Sequence, residues 1–227
     1  MTEDMEKTLL EKIDSCLERG DLESCVGDAI ASAKELGISP KKLLQLSEIQ
    51  NHGGQYKYGY ILALAATDEL DEKALAYYNA GVASYYLSNF EMAEKQFNLA
   101  IKADPDYALA HYDLGVLLNE LGRKDEAEVE FRQTIKSDPN HASAHNNLGA
   151  LLDELGRKDE AEVQFRLAIK SNPNLATAYN NLGALLNELG RKGEAEEQYR
   201  LAIKSDPNQA SAHYNLGVLL NELGRTD

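Results

Sequence analysis

At 227 residues and 43% apolar, the chain carries enough hydrophobic side chains for an ordinary core. Its 38 acidic and 23 basic residues give a formal charge of -15, which repels a phosphate backbone and an anionic leaflet alike, so neither nucleic acid nor membrane is an expected partner. The amino terminus MTEDMEK has no basic region leading into an apolar run, and the longest apolar stretch, Tyr60 to Ala66, is far too short to span a bilayer; a cytoplasmic protein is expected.

From the amino end, two divergent helical hairpins are expected over 6–39 and 40–73, their limits set by extending backwards a 34-residue period that is plain from Ala74 onward. In the first, Gly20 separates two amphipathic segments and Ile13 stands where later units have glycine. Cys16 and Cys25 fall on inward positions of this hairpin. Two cysteines are too few for a disulfide framework, so buried thiols in a reducing compartment are expected, with a redox pair as the alternative. In the second unit Ser47, Gly59 and Ala66 occupy close-packing places, and Tyr56, Tyr58 and Tyr60 read equally as a docking patch or a packing face. A separate helical cap is the alternative for the whole segment, because terminal repeats are often atypical.

From Ala74 the units run 74–107, 108–141, 142–175 and 176–209, with a final half repeat at 210–227. Pro105, Pro139, Pro173 and Pro207 keep the 34-residue step, as do Gly81, Gly115, Gly149, Gly183 and Gly217, and Gly122, Gly156, Gly190 and Gly224. Residues 142–175 and 176–209 are identical at 26 of 34 positions, so these units are copies of one another. Within 108–141, His111, Leu114, Gly115 and Leu118 share one helix face, which must be buried. Gly122 ends that helix, Asp125 and Glu126 place negative charge in the first turn of a second, and Pro139 stops it. On the second helix Ala127, Phe131, Thr134 and Ile135 share a face, while Glu128 and Arg132 pair at i, i+4.

The segments YYNAGVASYY, HYDLGVLL, HNNLGALL, YNNLGALL and HYNLGVLL, followed in register by Ala93, Ala127, Ala161 and Ala195 and then Phe97, Phe131, Phe165 and Tyr199, resemble tetratricopeptide repeats. The resemblance covers Ala74 to Asp227. It departs from the family in having His or Tyr for the usual Trp, and Leu118, Leu152, Leu186 and Leu220 where Tyr is common. It implies an all-α fold, a right-handed α-solenoid of stacked helix-turn-helix hairpins, and a protein-binding role on the concave side.

The stripe displaced from the buried face should line that inner side: Tyr78, Val82 and Tyr85; Tyr112, Val116 and Asn119; Asn146, Ala150 and Asp153; Asn180, Ala184 and Asn187; Tyr214, Val218 and Asn221. Beside it runs an asparagine row, Asn79, Asn147, Asn181 and Asn215, interrupted by Asp113. Each amide offers a donor and an acceptor and can pair with the backbone of an extended peptide, or only with a neighbouring helix. The row resembles asparagine rows of tetratricopeptide superhelices, which implies an extended polypeptide ligand. Family members that hold the acidic tails of heat-shock chaperones use Lys and Arg here, and this stripe has none, so that ligand is not expected. Glu120, Glu154, Glu188 and Glu222 make the rim acidic and favour a neutral or basic segment. His111, His145 and His213 recur in an aromatic packing place without a carboxylate or thiolate cluster, so no metal is expected, and His141 and His145 straddle a loop and a helix start. No phosphate loop or nucleophile elbow is present, so no enzyme and no cofactor is expected. An interaction scaffold is the leading expectation; the alternatives are the recognition arm of a larger enzyme and a structural spacer with end-to-end self-association.

Overall fold

The computed structural model describes residues 2–67 and 73–225, and every regular element among them is an α-helix. The chain divides into two compact units, Met1–Leu117 and Leu118–Asp227. The first holds α1 (Thr2–Leu17), α2 (Leu22–Leu36), α3 (Pro40–His52), α4 (Tyr56–Ala66), α5 (Lys73–Tyr86), α6 (Phe90–Ala103) and most of α7 (Ala108–Glu120). The second holds α8 (Lys124–Ser137), α9 (Ala142–Glu154), α10 (Lys158–Ser171), α11 (Ala176–Glu188), α12 (Lys192–Ser205) and α13 (Ala210–Glu222). Within each unit consecutive helices pair as hairpins, α1 with α2, α3 with α4 and α5 with α6, then α9 with α10 and α11 with α12, the organisation of an all-α solenoid. The end of the expected 40–73 unit passes through residues 68–72, and that of the 210–227 half repeat through 226–227, both outside the described residues. No helix among the described residues is long and apolar enough to cross a membrane.

In the first unit Leu9, Ile13 and Cys16 form the buried stripe of α1 and meet Cys25, Ala29 and Ala33 of α2. Asp21 caps α2 by accepting from the Ser24 backbone N–H at 2.8 Å. The short turn between the helices folds the last turn of α1 onto the first of α2, and Cys16 and Cys25 are joined by a disulfide with their Cα atoms 5.6 Å apart. Both sulfurs are buried, as the pattern implied, but they are bonded, not free. The expectation of two thiols failed because it was drawn from cysteine number, and number says nothing of how a hairpin brings two side chains together. With the pair bonded, the cysteines no longer argue for a reducing compartment.

The small residues of the repeat act as spacers. A Cβ added to Gly81 would lie 2.6 Å from the Phe97 ring, one added to Gly149 2.8 Å from Phe165, and one added to Gly183 2.7 Å from Tyr199. The rings of Phe97, Phe165 and Tyr199 therefore rest on bare backbone of the preceding helix, and Phe97, Phe131 and Phe165 are among the most deeply buried large side chains. Glycine also fits the hairpin turns, where Gly122, Gly156 and Gly190 all have φ of 76°. The equivalent place in the first unit carries Ser88, at φ 58°. Asp104, Asp138, Asn172 and Asp206 then fold the loop before the next hairpin, each carboxylate or amide oxygen accepting a backbone N–H two residues on at 3.0–3.1 Å.

Candidate functional site

The recurrent histidines turn out to be loop fasteners. The Nε2 atoms of His111, His145 and His213 lie 3.0, 3.1 and 2.9 Å from the carbonyl oxygens of Pro105, Pro139 and Pro207, six residues earlier in each case. His141 instead caps α9, its Nδ1 accepting from the Ala144 N–H at 3.1 Å, and burial pushes its pKa down. The HASAH pair is thus split between a cap and a packing place.

The asparagines bond mainly to one another from unit to unit. Asn181 Nδ2 donates to Asn146 Oδ1 at 3.1 Å and Asn215 Nδ2 donates to Asn180 Oδ1 at 3.0 Å, each across 35 positions. Asn146 Nδ2 in turn reaches Asn147 Oδ1 at 3.3 Å. Each amide has two donors and two acceptor lone pairs, so a single such bond leaves capacity for another partner. Asn79 and Asn180 are both buried, but Asn79 is bonded differently: its Nδ2 donates to Ser47 Oγ at 3.2 Å, and its backbone carbonyl accepts from Asn51 at 3.0 Å. Its side chain holds α5 to α3 and does not belong to an accessible row. Two turns further along the stripe, the Oδ1 atoms of Asn119, Asp153 and Asn187 are buried without a hydrogen bond. Burial raises the Asp153 carboxyl pKa, the Glu188 charge adds to it, and Lys158 opposes both. Tyr214 is 72% exposed, and Asn221 is exposed as well.

The rim is less acidic than the sequence suggests. Lys124 pairs with Glu154 at 2.8 Å, Lys158 with Glu188, and Lys192 with Glu222 at 2.9 Å, each lysine lying about a unit before its glutamate. On the second helices Glu128 joins Arg132 to Arg157, Glu162 joins Arg166 to Arg191, and Glu196 joins Arg200 to Arg225, at 2.6–2.9 Å. These carboxylates reach out of their own helix to the arginine of the next hairpin turn and tie neighbouring repeats together.

In the first unit the same stripe opens into two adjoining cavities. One, of 350 Å³, is lined by Tyr78, Val82, Tyr85, Tyr86, Phe97, Tyr112, Asp113 and Val116. The other, of 480 Å³, shares Tyr78, Val82 and Tyr86 and adds Glu48, Asn51, His52, Tyr56, Leu75, Asn79, Tyr107 and Leu109. The Tyr78 hydroxyl donates to Asp113 Oδ2 at 2.9 Å, in the register that joins Asn181 to Asn146. Tyr78 meets Tyr107 edge-on at 5.4 Å, and Tyr56 stacks on Tyr86 at 4.6 Å. Burial raises the Asp113 carboxyl pKa against the opposing Tyr78 hydrogen bond, and burial followed by the charge of Glu48 pushes Tyr107 up to about 12. The three tyrosines left open by the sequence part company: Tyr56 lines the cavity, the Tyr58 hydroxyl bonds Asp14 on α1, and Tyr60 is core. A third cavity, of 620 Å³ beside the α1–α2 turn, is lined by Leu17, Glu23, Lys57, Tyr60 and Met92 among others and takes in no residue of the stripe.

Sequence reasoning had placed Tyr78, Tyr112 and Tyr85 on this face but missed Tyr86 and Tyr107. Tyr86 stands where Glu120, Glu154, Glu188 and Glu222 form the rim, and Tyr107 where later units have His141, Leu175 and Gln209. Departure from the repeat was the available signal.

A tetratricopeptide repeat family model matches residues 78–133, a second matches 130–163 and 165–197, and a TPR repeat model matches 185–224. Among solved structures, PilF of Pseudomonas aeruginosa is similar with a TM-score of 0.74 at 17% identity, over 82% of this chain and 85% of that one. YrrB, described as a TPR protein with an unusual peptide-binding site, is similar with a TM-score of 0.64 at 22% identity, over 83% of this chain and 96% of that one. The first TPR of Spaghetti (RPAP3), solved with the HSP90 peptide SRMEEVD, is similar with a TM-score of 0.50 at 25% identity, over 52% of this chain and 93% of that one. No curated protein matches the chain.

Proposed function

The chain belongs to the tetratricopeptide repeat family, and we propose that it is a non-enzymatic interaction scaffold holding an extended polypeptide segment along the inner stripe of its first helices. The observation that carries this reading is the directional amide ladder, Asn181 to Asn146 and Asn215 to Asn180, whose remaining donors and acceptors flank the small residues Ala150 and Ala184. Asn181 and Asn215 each spend one donor on the ladder, and their amides beside small side chains suit a peptide backbone whatever its sequence. Two structural neighbours carry peptides or a peptide site, which supports the class of ligand.

The chemistry of the ligand differs from SRMEEVD. No Lys or Arg occurs at the stripe positions, and the cations nearby, Lys124, Lys158 and Lys192, are paired with rim glutamates. A neutral or basic segment fits, and an acidic chaperone tail does not. The test is the affinity of the full chain for neutral peptides selected from a random extended library. Asn181→Ala with Asn215→Ala should weaken binding at least fivefold at unchanged helical content, and unaltered affinity would remove the ladder from the binding site.

A further inference from the structure

Because the 34-residue repeats are near copies, departures among them are informative, and several fall in the neighbouring repeats 74–107 and 108–141, within the first compact unit. Asp113 replaces the asparagine found at 79, 147, 181 and 215. Tyr86 replaces the rim glutamate, and Tyr85 stands where Asn119, Asp153, Asn187 and Asn221 stand elsewhere. Hairpin packing does not require these changes, since the other units pack without them.

In space the departures meet. Tyr78, Tyr85, Tyr86 and Tyr112 wall the 350 Å³ cavity around Asp113, and the adjoining 480 Å³ cavity brings Glu48. Among the described residues that line the two there is no lysine and no arginine. A carboxylate placed among aromatic rings without a cation is costly to keep charged, and Tyr78 supplies a single neutral hydrogen bond against that cost. Aromatic faces are electron-rich, so rings and carboxylate together attract positive charge. A guanidinium answers both, since it is flat enough to lie on a tyrosine ring while its N–H fork engages the carboxylate; a lysine ammonium offers no such plane.

We propose that Asp113, with Tyr78, Tyr85, Tyr86 and Tyr112, forms a subsite for one arginine side chain of the bound segment, an inference that rests on the peptide-holding role above. The subsite reads a side chain, whereas the amide ladder of the second unit reads only backbone.

The experiment uses the full chain and two kinds of probe. The first is N-acetyl-arginine methylamide, with its citrulline and lysine counterparts, followed by the NMR shifts of tyrosine ring protons. The arginine compound should bind at least tenfold more tightly than either counterpart. Asp113→Asn, which restores the residue of the other units, should lose about tenfold for arginine while far-UV circular dichroism stays fixed. Equal binding of arginine and citrulline, equal binding of lysine, or unchanged arginine affinity in Asp113→Asn would overturn the assignment. The second probe is a seven-residue Gly/Ser/Ala peptide with a central arginine, against the same peptide with citrulline. If the arginine amide binds but the peptide binds no more tightly, the subsite stands and the extended-segment reading falls. If both peptides bind alike and tightly, the segment reading stands and the subsite falls.

Discussion

Alanine placed at two equivalent glycines of the repeat should change stability in opposite directions. Gly217 is exposed on α13, and a Cβ there would meet nothing within 4 Å. Gly217→Ala therefore gains only the helix preference of alanine, about 0.8–1.0 kcal/mol. Gly149→Ala gains the same amount, but its Cβ would stand 2.8 Å from both Cδ1 and Cε1 of Phe165. That ring is 1% exposed and has no solvent side to move toward, so the substitution overpacks the hairpin at a cost of about 1–3 kcal/mol. The net result at Gly149 is a loss of up to about 2 kcal/mol, and the two variants should differ by about 1–3 kcal/mol. Urea unfolding followed by far-UV circular dichroism measures this, provided the slopes match the wild type. A third variant sharpens it: in a Phe165→Leu background the penalty of Gly149→Ala should shrink, because the two residues share one contact. If Gly149→Ala stabilises as much as Gly217→Ala, the close approach of helix and ring described above is wrong.

The remaining predictions concern a turn and an ion pair. Ser88 holds the left-handed place that glycine fills in the later units, so Ser88→Gly should raise stability by about 0.5–1 kcal/mol, the left-handed strain of about 1–2 kcal/mol less the entropy cost of glycine; a urea midpoint that stays put or falls would refute this. Burial would raise the pKa of Glu162, but its bonds to Arg166 and Arg191 outweigh that and hold its carboxyl below the usual range. A depressed folded pKa contributes stability above the unfolded value, about 4.3, and loses it as pH falls through the folded one. Glu162→Gln should therefore cost about 1 kcal/mol at pH 7 and progressively less as pH falls below about 4.3, and a difference that does not shrink in acid would contradict the pairing.

Much of the architecture was legible because copied units repeat their own evidence. Gly149 and Phe165 recur as Gly183 and Tyr199 at a fixed step, so a spacer and the ring it serves could be recognised without coordinates. What escaped was contact between units. Helical periodicity tells which residues share a face, but not that Asn181 reaches back to Asn146 or that Lys158 lies against Glu188; those pairings depend on how far one hairpin is displaced on the next. For that reason the asparagine row looked more open and the rim more acidic than they are. The Cys16–Cys25 bond escaped for a related reason, because in the divergent segment no second copy existed against which to test a turn.

The amide ladder has one more consequence. In both bonded pairs the later repeat donates the hydrogen bond and the earlier one accepts it, Asn181 to Asn146 and Asn215 to Asn180. The row is therefore not the same read forwards and backwards, much as an arrowed track differs from a plain rail. A polypeptide also has a sense, from amine to carboxyl, so a visitor lying one way round meets this row as a different surface from one reversed. On the proposed role, the sense in which a segment lies would be set by the scaffold before any of its side chains is consulted.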